Sequence, residues 1–67
     1  MNDYYEAAHY PGMATMFSAI VDGKRQDICS WMTVCQCRSY ARAGGFTKEV
    51  VKTVDGIRVF EFHKETA

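Results

Sequence analysis

The chain has 67 residues, and its 8 Lys+Arg balance its 8 Asp+Glu. Zero net charge excludes a histone-like or RNA-coating protein that works by bulk positive charge, and equally an acidic mimic of DNA. A content of 48% hydrophobic and 13% aromatic residues is too apolar for a disordered chain.

The length allows one domain, 1–67, which buries only about 60% of the surface its unfolded form exposes. No apolar run approaches the ~20 residues of a membrane span, so no membrane association is expected. No basic start precedes an apolar stretch, so no secretory signal is expected either. Three cysteines cannot complete a disulfide framework, which points to free thiols and a cytoplasmic location. Charge is uneven along the chain. Residues 1–22 carry Asp3, Glu6 and Asp22, net −3. Residues 23–58 are net +4 and residues 59–67 net −1. A basic middle beside an acidic start has the makings of a basic face.

Taken in order, residues 1–12 form an N-terminal segment. Asp3-Tyr4-Tyr5-Glu6 has the form of a capping box, which predicts a helical turn over 4–9 ended by Pro11-Gly12. Met13, Met16, Phe17, Ile20 and Val21 fall at helical spacing and predict a helix stopped by Asp22-Gly23. From Lys24 to Ala43 there is neither Gly nor Pro, and Ile28, Trp31, Met32, Cys35 and Ser39 share a helical face. Two architectures fit: one helix of about five turns, or two helices broken near the β-branched Thr33 and Val34. Gly44-Gly45 closes this helical part, residues 13–45. Trp31 and the methionines are expected in the core, and His9 and His63 at the surface.

Residues 46–63 give the strongest signal. Lys48–Val54 and Ile57–His63 are rich in Val, Thr and Phe, and Asp55-Gly56 between them predicts a two-residue β-hairpin. That turn pairs Val54 with Ile57, Lys52 with Val59, Val51 with Phe60 and Glu49 with Phe62. One face then carries Val51, Phe60 and Phe62, and the other Val50, Val54, Ile57 and Val59. Helices in a domain this small cover only one of them. The other needs the N-terminal segment or a second copy, so a homodimer is expected.

Helices followed by a basic hairpin resemble the winged helix-turn-helix superfamily of DNA-binding domains, including small phage excisionases. Asp27-Ile28-Cys29-Ser30-Trp31-Met32 looks like the first helix of the motif and Thr33-Val34-Cys35-Gln36 like its turn. Cys37–Phe46 looks like the recognition helix with its glycine exit, and Lys48–His63 like the wing. A register with Val34 inside the recognition helix also fits. The resemblance implies an α+β winged-helix-like domain of two or three helices and a C-terminal hairpin. It implies base contacts from Gln36 and Arg38. It implies backbone contacts from Lys24, Arg25, Tyr40, Arg42, Lys48, Lys52 and Arg58. Each has a plainer reading: Arg38 and Arg42 as complements to a helix dipole, Lys52 and Arg58 as charges on a hairpin edge, Tyr40 as core, Gln36 as helix surface.

Enzyme chemistry finds little support. Cys29, Cys35 and Cys37 are spaced C-x5-C and C-x-C, unlike structural zinc sites. There is no Gly-rich phosphate loop after a strand. No third group orients a Cys–His pair. No cofactor is expected. Two functions follow. The first is a sequence-specific regulator of transcription or recombination, phage or mobile-element encoded, acting on duplex DNA. The second is a protein-binding module, such as a phage-encoded inhibitor docking on a host protein through Val50, Val54, Ile57 and Val59.

Overall fold

A computed structural model describes residues 3–12 and 14–65. The elements in chain order are β1 (Tyr4–His9), β2 (Thr15–Val21), β3 (Lys24–Met32), α1 (Val34–Ala43), β4 (Lys48–Val54) and β5 (Ile57–His63). All five strands form one antiparallel sheet in the order β3-β2-β1-β5-β4. The winged-helix expectation is therefore overturned: five strands and one ten-residue helix replace two or three helices and a wing. The hairpin is present in the register dictated by Asp55-Gly56, from Val54↔Ile57 to Lys48↔His63. It is not an appendage, because β5 also pairs with β1 along Tyr5–His9.

Two Asp-Gly turns shape the molecule. Asp22 and Gly23 have φ of 54° and 77°, and Asp55 and Gly56 have φ of 52° and 78°. Positive φ at both central residues is the turn geometry that matches strand twist. Asp22-Gly23 therefore joins two strands, Val21↔Lys24, rather than ending a helix. The expected helical turn over 4–9 is strand β1. Asp3 does not cap a helix; its Oδ1 accepts a bond from the Asp22 amide at 3.2 Å. Met13 lies outside the described residues.

The stretch from Lys24 to Ala43 breaks at Thr33, where strand gives way to helix. Thr33 Oγ1 accepts from the Gln36 amide at 3.2 Å, and the Thr33 amide donates to Gln36 Oε1 at 2.9 Å. This reciprocal capping box satisfies two of the donors a helix start leaves orphaned. At the other end the Gly45 amide donates to the Arg42 carbonyl and the Phe46 amide to the Ala41 carbonyl, with Gly45 at φ 89°. That pair of bonds is a Schellman cap, and it needs the left-handed conformation that glycine adopts without strain.

One face of the sheet carries the core. Ala7, Phe17, Cys37, Ala41 and Phe62 are fully enclosed, with Tyr5, Cys29, Met32, Phe46 and Phe60 packed around them. Ala7, Cys37 and Ala41 are small, so α1 can lie close to the central strand. Aromatic rings close the sides: Tyr5 stacks on Phe17 at 5.3 Å, and Tyr40 meets both edge-on. Such offset and edge-on pairs add to the burial term. Trp31, expected in the core from its spacing, is instead 73% exposed on β3.

Candidate functional site

The cations assigned to DNA do not converge. Strand alternation puts Arg25, Lys48 and Lys52 on the sheet face away from the helix. Lys24 and Arg58 lie on the helix side, and Arg38 and Arg42 on the helix itself. Three of them are held by carboxylates. Arg25 Nη1 pairs with Glu6 Oε1, Lys52 Nζ with Glu61 Oε2 at 3.0 Å, and Arg38 with Glu49 through two bonds. Gln36, proposed as a base reader, has its amide oxygen committed to the helix cap. Tyr40 is half-exposed, its ring engaged with Tyr5 and Phe17.

Among the described residues, no helix or second sheet lies over the sheet face opposite α1. Val50, Val54, Ile57 and Val59 lie on this face, joined by Ala8 and Met16 from the neighbouring strands. Val54, Ile57, Val59, Ala8, Met16 and Tyr10 line a shallow hollow of about 520 Å³ together with the charged Glu6, Arg25, Asp27, Lys52 and Glu61. Next to this apolar half, a polar row crosses four strands in register, Asp27, Ser18, Glu6 and Glu61, and ends on Val50 of β4. Glu6 and Glu61 stand directly opposite each other on β1 and β5, an arrangement that repels unless countercharges intervene. The countercharges are present, Arg25 on Glu6 and Lys52 on Glu61, and His63 adds a hydrogen bond to Glu61. Ser18 donates to Asp27 Oδ1 at 3.1 Å, and the His63 ring stacks on Tyr4 at 4.5 Å.

Burial alone would push the Glu61 carboxyl up. The bonds from His63 and Lys52 outweigh it and hold the carboxyl below its ordinary value. The same bond raises Lys52 above its ordinary value. Arg25 and Lys52 thus neutralise Glu6 and Glu61, while Asp27 in the same row accepts from Ser18.

Reading the sequence alone missed Glu6, Ser18, Asp27 and Glu61. The alternation Tyr4-Glu6-Ala8 was the available signal for a strand with one polar-bearing face.

The thiols sit in three environments: Cys35 exposed, Cys29 half-buried and Cys37 buried. Burial, with a smaller contribution from Cys29, pushes the Cys37 thiol up to about 11 against a slight pull from a backbone bond, so it is inert as a nucleophile. Among the described residues, no group of three or more His, Cys, Asp or Glu side chains is placed to hold a metal ion. Nor is any helix among them long and apolar enough to cross a membrane. No family model, no curated protein and no solved structure matches this chain.

Proposed function

We propose that the protein is a small protein-binding module whose contact surface is the uncovered face of its sheet. One observation carries this: among the described residues a helix covers the sheet on one side only, while the other side holds Val54, Ile57, Val59 and Met16 around a hollow with buried Ala8 in its lining and Val50 on the same face. Contiguous apolar surface rimmed by polar groups is a mark of interaction sites. Arg25 and Lys52 beside it are already paired with Glu6 and Glu61, which favours a folded protein partner with an apolar patch over a polyanion. The paired state of Arg25, Arg38 and Lys52 and the spread of the other cations give duplex DNA less to bind.

Affinity capture with the wild type and with Val59→Lys tests this reading. The expected result is a stoichiometric partner, insensitive to nuclease, that is retained by Arg42→Glu on the helix and lost with Val59→Lys. Titration with duplex DNA in low salt is the opposing arm. Tight binding there, weakened alike by Arg42→Glu and Lys48→Glu, would overturn the reading.

A further inference from the structure

The two edges of the sheet are built differently. Strand β3 has two register irregularities against β2, between Thr15 and Phe17 and between Phe17 and Ser18. Such bulges twist an edge and discourage pairing with another strand. Strand β4 has none: all seven residues pair in unbroken register with β5. Among the described residues no strand pairs with its outer side, and Val51 and Val54 are 54% and 51% exposed. Lysines normally guard such an edge. Here Lys52 pairs with Glu61 of its own sheet face and Glu49 is held by Arg38, which leaves exposed Lys48, at the first residue of the strand, as its guard.

We infer that β4 is a self-association edge, pairing antiparallel with β4 of a second copy about a two-fold axis through Val51. The inference deepens the binding-module reading and rests on it only for what the paired molecule does.

The register follows from geometry. A two-fold axis relating antiparallel edge strands stands normal to the sheet, so each residue meets one from the same face. The candidate centres are Val50, Val51 and Lys52. Centring on Val50 sets Lys48 against Lys52, and centring on Lys52 sets that lysine against itself. Centring on Val51 opposes no like charges: Val51 meets Val51, Lys52 meets Val50, Glu49 meets Thr53, and Lys48 meets Val54.

The backbone agrees. The closing pair of a two-residue hairpin exchanges both its hydrogen bonds, so Val54 and every second residue before it point inward to β5. Glu49, Val51 and Thr53 then point their amides and carbonyls outward. The Val51-centred register matches all three within the strand, for about six hydrogen bonds at two per residue. The product is a continuous ten-stranded sheet with both helices on one side and both open faces on the other. An edge contact of this kind buries little surface and is of the weak class.

The test is light scattering and sedimentation of the full chain up to roughly 1 mM, where even millimolar affinity shows. Wild type is expected to dimerise reversibly. Val51→Pro removes an outward-facing amide and leaves the β4–β5 ladder intact. It is expected to weaken association at least about tenfold while circular dichroism stays native. Ile28→Lys on the bulged edge is expected to leave it unchanged. Should Val51→Pro fail to fold, amide exchange on wild type decides. The Glu49, Val51 and Thr53 amides are to slow with concentration, and those of β3 are not.

A wild type monomeric at the highest concentration overturns the inference. So does a dimer that survives in folded Val51→Pro, or concentration-independent exchange at those three amides. A dimer lost in Val59→Lys but kept in Val51→Pro assigns association to the open face and overturns it too. Because Val59→Lys reports partner capture and Val51→Pro reports self-association, the two readings fail separately.

Discussion

Arg38 reaches from the middle of α1 to strand β4 and donates two hydrogen bonds to Glu49, Nε to Oε1 at 2.6 Å and Nη2 to Oε2 at 3.0 Å. Helix α1 packs chiefly against β1, so this pair is its fastening to the sheet's outer edge. Two-point Arg–carboxylate bonds are the stronger kind of ion pair. Partial exposure reduces the expected coupling to about 1 kcal/mol. A double-mutant cycle of Arg38→Ala and Glu49→Gln in urea measures it, and the coupling should shrink in high salt. Strict additivity of the two substitutions would show that the bonds contribute nothing.

Phe17 is fully buried at the meeting point of β1, β2 and α1, where Tyr5 and Tyr40 contact its ring. Phe17→Ala is expected to cost about 3–5 kcal/mol. A domain of this size has little more than that in total, roughly 3–10 kcal/mol. The variant should lose near-ultraviolet dichroism and a cooperative melt, whereas Phe17→Leu keeps both. A cooperative Phe17→Ala melt at the wild-type temperature would contradict this account of the core.

Acid should loosen the molecule through two carboxylates. The bonds from Arg38 hold Glu49 below its ordinary value, and those from His63 and Lys52 do the same for Glu61. A carboxyl with a lower pKa folded than unfolded stabilises the fold above the unfolded value. That contribution fades as pH falls through the folded value. Stability is therefore expected to be steady above the ordinary glutamate value of 4.5 and to drop below it. The double variant Glu49→Gln, Glu61→Gln should show a flatter profile between neutral pH and that acid range. Equal slopes for wild type and variant would assign the acid transition to other groups.

Thiol labelling reads the fold locally. Iodoacetamide at mildly alkaline pH should modify exposed Cys35 first and half-buried Cys29 more slowly. Cys37, enclosed and with its thiol raised to about 11, should react only as the molecule opens. Its rate should follow global stability when urea is added. Native-state labelling of Cys37 as fast as Cys35 would be incompatible with this packing.

How much of this was legible depended on how local the signal was. The β4–β5 hairpin followed from Asp55-Gly56 alone, and its register sorted Val50, Val54, Ile57 and Val59 onto one face. Asp22-Gly23 carried the same signal. It was outweighed because β2 is apolar on both faces, Phe17 toward the helix and Met16 and Ile20 away from it, and such a strand imitates helical spacing. The irregularities in β3 did the same further along. They bring Cys29 and Met32, three residues apart, both toward the core. Thr33 and Gln36 held the true helix start in plain S/T-x-x-E/Q form. The Glu6–Glu61 opposition was out of reach, because it exists only once β1 meets β5 across most of the chain.

That β1–β5 pairing is a seam. On one side lies a three-strand meander of near neighbours, on the other a hairpin, and the Gly44-Gly45 turn is the chain's route between them. Each half holds its own local pairings, but the sheet becomes whole only when β5 slots in beside β1. Until then both halves expose a sticky border, so misassociation competes with folding for as long as β1 and β5 stay apart.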